Sequence, residues 1–458
     1  MSHTRRSGLC AMHRNRTGRF RALVISKWIA PTALCIPLML EWPTPGKAYG
    51  VLTHHQLIDQ AWSTVIVPIL TSRFPALTNE QLREAHAYAY GGCVIQDFGY
   101  YPFANGFFSN LTHYVRSGDF VQSLFQHART ANEFAFAIGA LSHYAGDSIG
   151  HSQATNPSVA VTFPKLRAKY GSSVNYAQGK YEHSQVEWAF DANQAAKLRL
   201  APAAYVHYIG LKVPREQLAA AFYETYGIPL REVVSGRVPA MKAFRFGARS
   251  FLPNFTYAEA MLHQRRFPAD TPGLEFKEYQ HRIAQLSKKE GWDQYRRKPG
   301  IRLHLLAGLI AILPKIGMLK MLDIKGPTAE TEEAYIASVN LSTAALAVSL
   351  RRLMGPQIDT GLADRDLDTG ARVVPGGYPL TDKTYAKLLA RITKDPTEQI
   401  PAGLKQDIIA YYADPAAPIS TKKKPKEWAA VQAQLRLLNG MKTIPEEFRA
   451  PAPDRGAE

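Results

Sequence analysis

The sequence predicts an all-α fold, a multi-helix bundle with a C-terminal helical extension, on three observations. Apolar residues recur at helical spacing in almost every segment after position 50, two of these runs open on cap motifs, and the alternating apolar runs that mark strands are scarce. The cap motifs are Thr78-Asn-Glu-Gln81 and Thr130-Ala-Asn-Glu133. In this pattern the threonine hydroxyl accepts from the third helical N–H, and the Gln or Glu side chain returns to the threonine N–H.

Helices are expected at about 53–70, 78–90, 109–116, 119–128, 130–151, 176–199, 214–226, 256–266, 275–290, 301–322 and 328–354, with Gly91-Gly92 and Asn156-Pro157 as stops. The run Phe134-Ala-Phe-Ala-Ile-Gly-Ala-Leu141 predicts that the helix over 130–151 is buried. After Gly355 the texture changes to Pro, Gly and charged residues as far as Pro379. Short helical stretches return at about 381–394 and 403–412, and the end is Lys-rich (Lys422-Lys-Lys-Pro-Lys426) and then Pro-rich. Residues 49–355 therefore read as the main helical domain, and 356–458 as a peripheral extension with a loose tail.

At 458 residues and 46% hydrophobic content the chain is long enough for a large core, and its composition excludes disorder throughout. The first 48 residues are of a different kind. Arg5, Arg6, Arg14, Arg16, Arg19, Arg21 and Lys27 precede an apolar stretch from Trp28 to Leu40, and a helix-broken approach ends at Lys47-Ala48. That is the layout of an export signal cleaved after Ala48, and the apolar stretch is short for a membrane span. Cleavage removes Cys10 and Cys35 and leaves Cys93, so the mature chain has no intramolecular disulfide. It also removes eight basic residues and Glu41, which lowers the net charge from +17 to about +10. A mildly basic balance suits a phosphate-bearing substrate.

The apolar segment Leu305-Leu-Ala-Gly-Leu-Ile-Ala-Ile-Leu-Pro314 has basic flanks in Arg296, Arg297, Lys298, Arg302, Lys315 and Lys320. Such a helix lies either in the core or in a membrane interface.

Eight of the fourteen histidines fall between positions 54 and 183, and the densest part reads His143-Tyr-Ala-Gly-Asp147-Ser-Ile-Gly-His151. Steps of four place His143, Asp147 and His151 on one helical stripe, and His183-Ser-Gln-Val-Glu187 repeats the step. A buried helix that carries three such groups must satisfy them, and metal ions do so. Asp97, after Gly91-Gly92, and His113 add a carboxylate and an imidazole, and His54 and His55 stand just behind the expected cleavage point. These nitrogen and oxygen donors are enough for two or three zinc ions, and the absence of paired cysteines excludes a structural zinc finger.

The order Thr53-His54, Gly…Asp97, His113, His143-x-x-x-Asp147 with His151, and His183-x-x-x-Glu187 resembles the bacterial zinc-dependent phospholipase C family over about 49–195. The resemblance implies a helical bundle enclosing a multinuclear zinc site. It implies that Tyr49, standing where the family usually has tryptophan, binds zinc through a free amine and carbonyl together with His54, for which His55 is the alternative. It further implies that Asp97, His113, His143 and Asp147 hold a second ion, with Asp147 bridging, and that His151, His183 and Glu187 hold a third. The gap from Asp147 to His151 is four where well-known members have six. Asp97 would act as general base, a phospholipid would be the substrate, with transient membrane contact and no stable nucleic-acid partner, and the protein would be exported.

The aromatic run Phe98, Tyr100, Tyr101 and Phe103 is a candidate substrate-binding loop, with ordinary core packing as its alternative. Competing functions are a zinc nuclease for single strands with the same fold, and a non-catalytic helical protein that binds zinc or membranes.

Overall fold

The helix Ala131–Gly150 carries His143 and Asp147 and packs against the helix that carries His54 and the turn that carries His151. The computed structural model describes residues 49–101, 103–234, 240–270, 273–315, 320, 322–355 and 358–444; the expected signal, 1–48, and the last residues of the tail, 445–458, lie outside them. Both expected capping boxes form. Gln81 N donates to Thr78 Oγ1 at 3.2 Å and Thr78 N to Gln81 Oε1 at 2.8 Å. Glu133 N donates to Thr130 Oγ1 at 3.3 Å and Thr130 N to Glu133 Oε2 at 3.0 Å. Among the described residues the only strand pair is Ile400–Pro401 with Thr443–Ile444.

Phe134, Phe136, Ile138 and Leu141 are fully buried, each side chain contributing roughly 1.5–3 kcal/mol of hydrophobic stabilisation. The helix Asn79–Gly92 packs closest of all against Ala131–Gly150. Gly92 and Gly139 make this contact backbone to backbone. A Cβ at Gly139 would stand 2.2 Å from the Ala89 carbonyl oxygen, and one at Gly92 2.0 Å from that of Phe136. Gly91-Gly92 is therefore both the expected stop, the helix ending at Gly92, and the place where two helices touch.

The helix Val51–Ala61 begins at Gly50, which has no side chain to cap it. Asp191, on the helix Lys180–Ala196, supplies the cap from outside. Its carboxylate accepts from Leu52 N at 3.0 Å, Thr53 N at 3.1 Å and Thr53 Oγ1 at 2.5 Å. Asn156-Pro157, by contrast, does not end the central helix. A π-helical turn, His151–Thr155, carries the chain into Asn156–Thr162, where Pro157 occupies the first turn and needs no N–H partner.

The expected helix over 301–322 stops at Ile312, ahead of Pro314, and only Ala307 and Ile310 are buried. Ile301, Leu305 and Ile312 are 70%, 53% and 79% exposed, so the core alternative does not describe this helix.

Two features describe the C-terminal extension. Residues 358–378 form a strap against the bundle, with Leu367 and Asp368 buried. Past the Lys-rich stretch, Pro425–Gly440 is a helix with Val431 and Leu438 buried; its opening proline is compatible with a first helical turn.

Candidate metal centre

Every imidazole of the centre except His54 is oriented by a hydrogen bond on the side away from the carboxylates. His143 Nδ1 donates to the Cys93 carbonyl at 3.0 Å, a contact set up by the glycine-mediated approach of the two helices. His113, on the helix Gly106–Tyr114, donates from Nδ1 to the Ser109 carbonyl at 2.8 Å. His151 Nδ1 donates to the Leu367 carbonyl at 2.5 Å. His183 is reversed: Nε2 donates to Asn156 Oδ1 at 2.9 Å, so Nδ1 faces Glu187 Oε1 at 2.8 Å. Fixing one ring nitrogen as donor leaves the other as a lone pair able to bind a cation.

The facing atoms form three sets. Asp147 Oδ1 lies 3.3 Å from His54 Nε2, and Asp147 Oδ2 lies 3.2 Å from His143 Nε2 and 3.5 Å from His113 Nε2. Asp97, in the short 3-10 helix Gln96–Tyr100, places Oδ1 3.6 Å from His113 Nε2. His151 Nε2 lies 3.8 Å from Glu187 Oε1, and the His151 and His183 rings are 4.9 Å apart. Within the sets His54, His143, Asp147; Asp97, His113, His143; and His151, His183, Glu187, the donor atoms are all within 4.8 Å of one another, and every residue is buried. Eight helical steps turn a residue by about 80°, which is why His151 shares the stripe of His143 yet addresses a different set.

The electrostatics follow from this crowding. Burial opposes ionisation of Asp147, yet the imidazoles of His143, His113 and His54 hold its carboxyl well below the usual range. Burial also acts against protonation of His143, but Asp147 outweighs it and the pKa rises. His54 is lowered by burial and by the neighbouring His143, and His183 is lowered far by burial and by His151. His151 Nε2, His183 Nδ1, both Asp147 oxygens and both His54 nitrogens are buried without making a hydrogen bond. Buried polar atoms normally have such partners, so this donor set of imidazoles and carboxylates fits zinc.

Residues 53–236 match the family model described as zinc dependent phospholipase C. Over this segment the chain is similar to that family. No curated protein and no solved structure matches the chain. All eight side chains expected to bind metal lie inside the segment that matches the zinc-dependent phospholipase C family, and the structure brings all eight into the three sets.

Of the two neighbouring histidines, His54 faces Asp147, while His55 turns away and stacks on Tyr90 with ring centroids 4.2 Å apart. Tyr49 is buried with its ring edge-on to His54, and its hydroxyl donates to Ser338 Oγ at 2.8 Å. A Cβ on Gly150 would stand 2.6 Å from Tyr49 Cζ, so residue 49 is wedged against the central helix.

The aromatic loop divides. Phe98 packs edge-on to Phe108 and Phe244, and Tyr101 to Phe244, which makes both part of the core. Fully buried rings of this size stabilise the fold and are not displayed for a substrate. Tyr100 alone stands by a candidate ligand, 5.7 Å from the His113 ring, and Phe103 is half-buried in a left-handed conformation, φ 67°.

Three residues that support the centre are not among the expected ligands. Asn156 orients His183 and reads as a helix stop; Asp191 caps the His54 helix and reads as a solvated acid; Asp368 lies in the Pro- and Gly-rich strap. Asp368 Oδ1 is 3.9 Å from His151 Nε2. Only for Asp191 did a clue exist, because it continues the steps of four from His183 and Glu187.

Proposed function

We propose that this protein is an exported zinc-dependent phosphodiester hydrolase, a phospholipase C that releases phosphorylated headgroups from glycerophospholipids. The observation that carries the reading is the position of Asp147, whose two oxygens face His54, His143 and His113 at 3.2–3.5 Å in the buried interior. In this reading His54, Asp147, His143, Asp97 and His113 bind zinc on one side of the centre, together with the main chain of Tyr49 once the preceding residues are removed. His151, His183 and Glu187 bind on the other. Bound zinc supplies a water acidified to near neutrality and positive charge for the phosphodiester oxygens. Asp97 would be the carboxylate placed to orient such a water and take up its proton. The backbone carbonyls of Cys93, Ser109 and Leu367 keep the imidazoles in the tautomers that ligation requires, and the low-dielectric surroundings strengthen each of these contacts.

The exposed apolar residues Ile301, Leu305 and Ile312, beside Arg302 and Lys315, support transient contact with a lipid surface. Hydrolysis of phosphatidylcholine in mixed micelles, measured beside that of single-stranded DNA, tests the substrate. Turnover of the lipid that is abolished by a chelator and restored by zinc is expected. DNA cleavage without lipid cleavage would replace the reading with a nuclease, and zinc-independent turnover would end it.

A further inference from the structure

The strap 358–378 lies outside the segment that matches the family, yet it is fastened to three parts of the metal centre. Leu367 N donates to the His113 carbonyl at 3.0 Å, the Leu367 carbonyl accepts from His151 Nδ1, and Asn156 Nδ2 donates to the Asp368 carbonyl at 2.7 Å. The strap is pressed onto the central helix at Gly370, where φ is +71° and a Cβ would stand 2.0 Å from the Ser148 carbonyl oxygen. Only glycine meets both conditions.

Between these anchors the Asp368 carboxylate points inward and is 1% exposed. Its Oδ2 accepts from Tyr114 Oη at 3.0 Å and also from Tyr378 Oη. Its Oδ1 is turned toward His151 Nε2 at 3.9 Å, almost the separation of that nitrogen from Glu187 Oε1. His151 Nε2, which faces Asp368, and His183 Nδ1, which faces Glu187, are fully buried and make no hydrogen bond, so the space they border is shaped to receive a cation. Two hydroxyls on one carboxylate oxygen, with the other directed at a metal site, is the way outer groups orient a ligating carboxylate.

We propose that Asp368 is a metal donor of the His151, His183 and Glu187 set, so that the strap completes this site and its docking is linked to zinc. The inference rests on the zinc reading above. Its donor set becomes two imidazoles and two carboxylates, the number a closed, structural tetrahedral zinc takes from a protein.

The test uses the full chain purified with zinc. Elemental analysis and chelator competition are run on wild type, Asp368→Asn and Tyr378→Phe, and trypsin cleavage after Arg365 and Arg372 is followed in wild type with and without chelator. In Asp368→Asn the weakest-held zinc is expected to be lost, or bound at least ~10-fold more weakly, while the zinc facing Asp147 stays; Tyr378→Phe should show a smaller loss. In wild type, zinc removal should expose the strap to trypsin, a readout that stands even where Asp368→Asn fails to fold. Unchanged zinc stoichiometry and affinity in folded Asp368→Asn, or strap protection indifferent to zinc in wild type, overturns the proposal and leaves the phospholipase reading intact. A wild-type protein that holds no zinc overturns both.

Discussion

The two sides of the metal centre are built by different means. Around Asp147, donors come from positions 54 to 147: the helix that carries His54 packs directly on the one that carries His143, and Gln96, beside Asp97, donates from Nε2 to the Ala140 carbonyl of that helix at 2.9 Å. Around His151 the local helices supply His151, His183 and Glu187, but the orientation of His151 comes from the Leu367 carbonyl, more than two hundred positions away. A cluster that neighbouring helices close can form as soon as they pack. One that needs a distant strap forms only when the chain has returned to it.

The largest effect that bears on this contrast is expected from Asp147→Asn. The amide keeps the shape but removes the charge that faces three imidazoles, so phosphodiester hydrolysis should fall by ~10²-fold or more, with loss of zinc from that side of the centre. Full zinc content and activity in the variant would remove Asp147 from the centre of the first cluster.

The strap side should carry the pH dependence of stability. Asp364, whose Oδ1 accepts from Gly118 N at 2.9 Å and Asp119 N at 3.2 Å, has its pKa pushed up to about 7 by burial and by the nearby charges of Asp119 and Asp407. A carboxyl with a raised folded pKa contributes stability that is fully present below about 3.8 and lost as pH rises through about 7. The shift sets an upper bound of about 4 kcal/mol. Thermal melts of Asp364→Asn should show a gain over wild type at pH 8 that shrinks toward pH 4; a gain equal at both would separate the strap from this titration.

Asn156→Ala removes the acceptor that fixes His183 and the donor to the strap at once. Zinc affinity at the His151 side should drop ~10–100-fold in chelator competition, with the Asp147 side unchanged. Equal weakening of both sides would mean that the centre behaves as one cooperative unit, and the contrast would not hold.

The smallest effect is expected at Asp191. Replacing it by alanine leaves Leu52 N and Thr53 N uncapped ahead of His54, a cost of ~0.5–2 kcal/mol in urea unfolding. Any accompanying zinc loss should fall on the Asp147 side, where His54 is.

Much of this centre was legible because its donors obey local rules. Capping boxes at Thr78 and Thr130 fix where two helices start, and the step of four between His143 and Asp147 or His183 and Glu187 survives any packing that keeps the helices intact. The aromatic run after Asp97 was not legible in the same way. Phe98 and Tyr100 are two positions apart, yet one packs against Phe108 and Phe244 and the other by His113, since a short 3-10 turn sends neighbouring side chains in divergent directions. The exposure of Ile301, Leu305 and Ile312 was equally hidden, because a run of uninterrupted apolar residues has the same periodicity whether it is covered or bare.

By itself, then, the sequence determined the helices, the stripe that carries His143, Asp147 and His151, and the donor chemistry, all of which depend on residue type and on spacing within a few turns. Tertiary structure alone decided which donors meet in which set, that His54 and not His55 faces Asp147, and that Leu367 and Asp368 come back to His151. Those outcomes depend on contacts between segments far apart in the chain, made possible by close approaches at Gly92, Gly139 and Gly370 that no local pattern records.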